Sequence, residues 1–370
     1  MKILIATGIY PPDIGGPATY SKLLKDDLPK RGIGVSVVSF GDVRHLPKII
    51  RHIAYFFMVL GKAKGADVIF AQDPVSVGLP AMLATKILRK KFVLKVVGDY
   101  AWEQFQIKNK ELVTPDAFQH ITLDLITELR RKIERMVARR ADRVIVPSKY
   151  LKGIVKKWGV RNERLTVIYN SFKKPDTALS QEEVRAELGI DADAKIILSA
   201  GRLVPWKGFG TLVGMMPSLK KANPNINLFI IGEGPDKHKL INDSSSDPSV
   251  HLLGALPQQT LYRYIIAADV FVLNTAYEGL SHQLLEVLAL GTPIVTTHVG
   301  GNPEVISDGV NGILVEHNDT SALEESIQKI LNNEAFAAQL SENGKDTPPH
   351  FEKDVMLYNL EKELNQVCKS

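Results

Sequence analysis

Two glutamates eight residues apart, Glu278 and Glu286, sit in the stretch "YEGLSHQLLEVLALGTP" (277–293). Carboxylates at this kind of spacing accept hydroxyl hydrogen bonds or steady a cationic centre. Ser281 can cap a helix that Gly291 and Pro293 stop, which leaves Glu278 in a loop and Glu286 about one turn inside the helix. At about 100° per residue, eight residues end roughly 80° past two full turns, so the two carboxylates would meet different parts of one ligand. The alternative is a surface acid and a solvated helix residue. The apolar run "LLEVLAL" argues against the second half of it, because a carboxylate among leucines needs a partner.

Upstream, "SAGRLVPWKGFGTLV" (199–213) carries Arg202 and Lys207 between a strand and a helix, where two cations can neutralise a diphosphate. Glycine loops follow other strands: Gly15 and Gly16 in "GIYPPDIGGPATYSKLL" (8–24), Gly232 in "IIGEGPD" (230–236), and Gly300 and Gly301 before Asn302, Pro303 and Glu304. Glycines before a Pro-led turn suggest an anion site at a helix N-terminus, and a ligand could approach the backbone closely at Gly15 and Gly16. Each loop also reads as an ordinary tight turn. The dinucleotide-binding G-x-G-x-x-G pattern is missing after the first strand. No convincing acidic metal motif occurs; "DAD" (191–193) reads as turn polarity.

These loops imply strands that place them. Short β-branched runs at 2–7, 34–40, 67–72, 91–98 and 142–148 alternate with amphipathic segments. After a polar break at 167–180 the series restarts at 195–203, 226–234, 251–256, 269–275, 292–297 and 312–316. Near-continuous apolar strands separated by helices mean parallel sheets covered on both faces. The expected fold is α/β with two doubly wound domains, residues 1–172 and 173–350, followed by a terminal amphipathic helix over 351–370. That helix has apolar residues at 355, 357, 360, 364 and 367 and is expected to pack back on the first domain. Ser180 with Glu183 forms a capping box, and Gly189 a helix stop.

A chain of 370 residues with 45% hydrophobic content can bury two ordinary cores. Its one cysteine, Cys368, excludes an intramolecular disulfide and suggests a reducing compartment. The N-terminus "MKILIATGIYPP" reads as a first strand rather than a signal peptide, and the longest apolar run, 53–60, is far shorter than the roughly 20 residues of a membrane span. The expected location is cytoplasmic, at the inner face of a membrane. Residues 1–172 hold 30 Lys and Arg against 15 Asp and Glu, or +15, while the rest of the chain carries −10. A basic half suits nucleic acid, an anionic membrane surface or an anionic substrate, and the alternative is a solvated basic face with no partner. The segments 44–64 and 130–140 carry the membrane expectation; a helix buried in the domain is the alternative for the first. No nucleic-acid partner is expected, since the basic residues are dispersed and no recognition module appears.

In this order and spacing, "GGPATY", "ADRVIVPSKY" (141–150), "GRLVPWKG", "IIGEGP", the Glu278/Glu286 pair and "GGNPE" resemble the retaining glycosyltransferases of family 4 along nearly the whole chain. The resemblance implies the GT-B fold, two Rossmann-like domains facing across a cleft, with acceptor bound by the first and nucleotide sugar by the second. It implies that Arg202 and Lys207 hold the donor diphosphate, Glu286 takes the ribose hydroxyls and Glu278 lies near the transferred sugar. Gly300, Gly301, Asn302 and Glu304 would meet the sugar and distal phosphate, Gly16 would close over the phosphates, and Ser148, Gly232, Leu256 and His282 would line the donor side. No metal or other cofactor is implied: the nucleotide sugar, UDP-linked by preference with a GDP-sugar as the alternative, is the substrate, and the acceptor is a sugar or a lipid-linked hydroxyl, as in cell-envelope polysaccharide or glycolipid synthesis. One departure stands out. After "KFVLKVV" many members carry a histidine near the donor sugar; here "VGDYAWEQF" offers Asp99, either as its replacement in positioning sugar or acceptor or as part of a different solution. A sugar-nucleotide epimerase of the same fold and a non-catalytic sugar-nucleotide-binding module are the other readings.

Overall fold

The computed structural model describes residues 1–13, 15–109, 111–171, 179–346 and 348–369. The middle of the expected polar break, 172–178, lies outside them. The chain divides into two compact units, Met1–Ser171 with His350–Ser370, and Phe172–Pro349.

The first unit is built on six parallel strands, β1 (Lys2–Thr7), β2 (Gly34–Ser39), β3 (Val68–Ala71), β4 (Lys91–Lys95), β5 (Arg143–Val146) and β6 (Leu165–Val167). They lie in the order β2-β1-β3-β4-β5-β6. Strand β1 shows why the apolar runs are continuous. Leu4 and Ala6 face one core and Ile3 and Ile5 the other, and all four are buried. The helices Lys48–Ala63, Gly78–Leu88 and Leu125–Arg140 cover the first face, through Tyr55, Val59, Ala81 and Val137. Helix Gly16–Asp27 and the terminal helix Lys353–Lys369 cover the other. The terminal helix turns Met356, Leu357, Leu360, Leu364 and Val367 inward, with Val355 only half-buried, and Arg143 pairs with Glu363 at 2.9 Å. Strand β6 is a strand the sequence pattern does not announce; three residues are too few to show a period.

The second unit repeats the plan with β7 (Lys195–Ala200), β8 (Ile226–Ile231), β9 (Val250–Gly254), β10 (Val270–Leu273), β11 (Ile294–Thr297) and β12 (Ile313–Val315), again all parallel. The order is β12-β11-β10-β7-β8-β9. Counted from its own first strand this is 3-2-1-4-5-6, the order of dinucleotide-binding sheets. Ser180 caps helix Gln181–Leu188 in a complete capping box, and Gly189 ends it with a φ of 66°. Asp193 N donates to Asp191 Oδ1, so "DAD" is a turn.

Candidate active site

In the second unit strand order reverses between β7 and β10, and open parallel sheets bind ligands outside the carboxyl ends of strands at such a switch point. The loop after β7 carries Arg202 and Lys207; the loop after β10 carries Glu278. The sequence forces these loops close. A Cβ on Gly208 would lie 2.3 Å from the carbonyl oxygen of Asn274, and Ala276 N donates to Trp206 O at 2.7 Å. Lys207 Nζ consequently reaches Glu278 and forms an ion pair in which the side chains are only 14% and 15% exposed. Arg202 is exposed in the same loop.

The neighbouring loops lock to this pair. Gly232, at φ 148°, packs so tightly that a Cβ would lie 1.8 Å from Gly201 O. Gly300, at φ 57°, would bring a Cβ to 2.0 Å from Glu278 O, and Gly301 N donates to that same carbonyl at 2.9 Å. Only glycine fits where backbones approach this closely. The loop after β11, expected as an anion site, turns several of its amides inward. Asn302–Glu304 is a single 3-10 turn whose Gly301, Asn302 and Glu304 amides donate to Glu278 O, Val299 O and Gly301 O. Asn302 is fully buried and its Nδ2 donates to Thr296 Oγ1 and Thr297 O, so its side chain fastens the loop from behind. Glu304 is half-buried.

Ser281 caps helix His282–Leu290, its Oγ accepting from Leu284 N at 3.3 Å. This sets Glu278 before the helix and Glu286 inside it. His282, the first helical residue, and Leu256, just past β9, are half-buried. Glu286 has partners that the motif spacing does not reveal. Helix Gln258–Ala267 presents Gln258 and Tyr262 one turn apart, and both donate to Glu286 Oε1, at 2.9 and 3.1 Å. Burial raises the Glu286 carboxyl above the ordinary glutamate range, and the two donors oppose the shift. The i, i+4 spacing of Gln258 and Tyr262 was visible in the sequence, but its target lies 24 to 28 residues away.

In the first unit, helix Gly16–Asp27 begins with Gly15 and Pro17, and a Cβ on Gly16 meets nothing within 4 Å. Space beside its backbone is open. Ser148 is fully buried and caps helix Lys149–Lys157, accepting from Leu151 N at 3.1 Å. Asp99 differs from its expected role. It is 1% exposed and caps helix Tyr100–Gln106, with Oδ1 accepting from Trp102 N at 2.8 Å and Oδ2 from Gln119 Nε2 at 2.8 Å. It also hydrogen-bonds Glu134, another buried carboxyl, whose oxygens accept from Tyr100 N and Ala101 N. Burial raises both carboxyls, Glu134 well above the ordinary range, with the Asp99 charge adding to it. A carboxylate engaged on both oxygens inside the fold holds this helix in place.

Comparison with known proteins places this arrangement among relatives. A family model described as "Glycosyl transferases group 1" matches residues 180–347, and one described as "Glycosyltransferase Family 4" matches residues 14–172. The chain is 33% identical over 166 residues to the lipopolysaccharide core biosynthesis glycosyltransferase LpsE of Rhizobium meliloti, covering 44% of this chain and 47% of that one. It is 26% identical over 260 residues to a D-inositol 3-phosphate glycosyltransferase of Corynebacterium kroppenstedtii, covering 66% of this chain and 56% of the relative. The chain thus spans about half the length of the curated relatives it matches. Among solved structures, sucrose-phosphate synthase from Thermosynechococcus elongatus superimposes with a TM-score of 0.78 at 20% identity over 99% of this chain and 98% of that one. The Anabaena protein HepE, in complex with UDP-glucose, gives 0.76 at 19% identity over 99% of this chain and 100% of that one. At these identities the likeness shows the fold.

Proposed function

We propose that this chain, which belongs to the group 1 glycosyltransferases of family 4 and has their GT-B fold, moves a hexosyl unit from a nucleoside-diphosphate sugar to an acceptor hydroxyl with retention at the anomeric carbon. The observation that carries this reading is the Lys207–Glu278 pair at the switch point of the second sheet, with Arg202 in the same loop. Transfer from a nucleotide sugar requires the leaving diphosphate to be stabilised and an oxocarbenium-like centre to be held beside the acceptor. Arg202 and Lys207 supply the first, so no resident metal or other cofactor is called for. When the diphosphate takes up Lys207, the Glu278 carboxylate is released toward the sugar. Glu286, held through Oε1, offers Oε2 to the ribose diol.

A uridine donor is favoured, by analogy with the UDP and UDP-glucose complexes of HepE. The name of LpsE supports an acceptor in envelope polysaccharide or glycolipid synthesis, a sugar or a lipid-linked hydroxyl. In this reading residues 1–172 bind acceptor and 173–350 bind donor, and the chain works on the cytoplasmic side at an anionic membrane surface. Among the described residues no helix is long and apolar enough to cross a membrane. Incubation with labelled nucleotide sugars tests the proposal. Release of nucleoside diphosphate that rises with added acceptor, with the anomeric configuration kept in the product, supports transfer. Sugar interconversion without acceptor identifies an epimerase, and tight binding without turnover a binding module.

A further inference from the structure

Two asparagine side chains tie the loop after β12 to the loops that carry Lys207 and Glu278. Asn274 follows β10 directly and is fully buried. Asn318 lies three residues past β12 and is exposed. The two face each other. Asn318 N donates to Asn274 Oδ1 at 3.0 Å, and Asn274 Nδ2 donates to Asn318 Oδ1 at 2.8 Å. Thr211 Oγ1, in the first turn of helix Phe209–Ala222, donates to the same Asn318 oxygen at 2.7 Å.

The direction of these bonds decides what else Asn274 can do. A backbone N–H can only donate, so Asn318 N fixes which side of the Asn274 amide carries oxygen. Nδ2 is thereby turned toward the Lys207 loop, where it also donates to Gly208 O at 3.4 Å. Space there is tight. A Cβ on Gly208 would lie 2.4 Å from that nitrogen and 2.3 Å from Asn274 O. Gly208 follows Lys207 and starts helix Phe209–Ala222 without any side-chain cap. Asn274 stands four residues before Glu278. One buried amide therefore touches the loop of the cation and belongs to the loop of the carboxylate, and Asn318 sets its orientation.

The Asn318 backbone is an independent sign. Its φ is 60°, in the left-handed region that glycine enters freely and other residues only at a cost. A tight turn alone would be served better by glycine. What asparagine adds here is an acceptor oxygen that holds Asn274 and Thr211 together.

We propose that Asn318 is a positioning residue for Lys207. By fixing the Asn274 amide it holds the Lys207 loop in the placement that presents the ammonium to the donor diphosphate. The inference rests on the donor reading of Lys207 above and extends it to the edge strand of the second sheet.

Calorimetric titration of the full chain with UDP and with GDP, following whichever binds the wild type more tightly, tests it. Asn318→Gly keeps the left-handed turn and removes the oxygen. It should bind the nucleotide roughly fivefold more weakly, with a melting temperature close to wild type. The Lys207→Ala background separates positioning from plain structure. A residue that works through Lys207 has nothing left to position there, so adding Asn318→Gly to Lys207→Ala should weaken binding no further. A merely structural role would cost the same factor in both backgrounds. Wild-type affinity in a folded Asn318→Gly variant, or an equal loss on both backgrounds, overturns the proposal. Should Asn318→Gly fail to fold, Thr211→Val, which removes one donor to the same oxygen, replaces it and is read the same way. A wild-type chain that binds neither nucleotide overturns the donor reading and this inference with it. One that binds but transfers no sugar overturns the transfer reading alone, and the cycle still decides the role of Asn318.

Discussion

Tyr262 and Glu286 are joined across two helices by a 3.1 Å hydrogen bond from the phenol to Oε1, and Gln258 adds a 2.9 Å bond to the same oxygen. One carboxylate oxygen is held by the fold and the other keeps its capacity for a diol. Tyr262→Phe should therefore raise the donor KM about tenfold, the effect of losing roughly 1.4 kcal/mol, with kcat little changed. Steady-state kinetics check this; equal losses in kcat and kcat/KM would show that Tyr262 acts in the transition state instead.

The same pair predicts a pH dependence. Burial raises the Glu286 carboxyl, and only its ionised form accepts two hydroxyls. Donor affinity should weaken as pH falls through a value above the ordinary glutamate range. Removing the Tyr262 phenol, which favours the ionised form, moves that limb further up. Calorimetric titration with UDP across the acid limb measures both; superimposable wild-type and Tyr262→Phe curves would contradict the assignment.

Lys207 and Glu278 form the other decisive contact. Glu278→Ala and Lys207→Ala should each reduce turnover by roughly a hundredfold or more, as removal of a transition-state electrostatic group does. Glu278→Gln should keep the melting temperature close to wild type while losing turnover, because its shape is conserved. Wild-type rates in either alanine variant would remove the pair from the chemistry.

Two glycines should behave oppositely. Gly232→Ala places a Cβ 1.8 Å from Gly201 O at a φ of 148°, and should cost about 2 kcal/mol or more of stability. Gly16→Ala meets nothing within 4 Å at the start of a helix, and should leave stability unchanged or slightly better. Any activity lost in Gly16→Ala then reports on a ligand that needs the space, and thermal melts beside assays separate the two cases.

The buried carboxyls Asp99 and Glu134 give a stability prediction. Burial raises Glu134 in the folded chain, so its contribution is intact below its unfolded value and is lost as pH rises through the folded one. Glu134→Gln keeps an oxygen for the Tyr100 amide, gives up the longer 3.4 Å bond from Ala101 N and removes the titration. Its melting temperature should hold at rising pH where the wild type declines. Asp99→Asn, which keeps the cap, should retain most of the turnover; a loss as deep as that of Glu278→Ala would return Asp99 to the active site.

By itself the sequence determined the architecture. Continuous apolar strands such as "KILIAT" and "DVFVLNT" can only be parallel and doubly covered, and glycine loops after them can only sit at carboxyl edges. It also separated Glu278 from Glu286, because the Ser281 cap and Gly291 stop are local signals. The tertiary structure decided partnership. Lys207 meets Glu278 71 residues on, and Asp99 meets Glu134 35 residues on. Whether a carboxylate serves chemistry or a helix cap depends on which donors surround it. The exposed faces of the first unit were equally hidden in the pattern. The alternation of apolar and polar residues identifies an amphipathic helix, but in "KIIRHIAYFF" both sides are apolar, and only packing against the sheet showed which side stays outside.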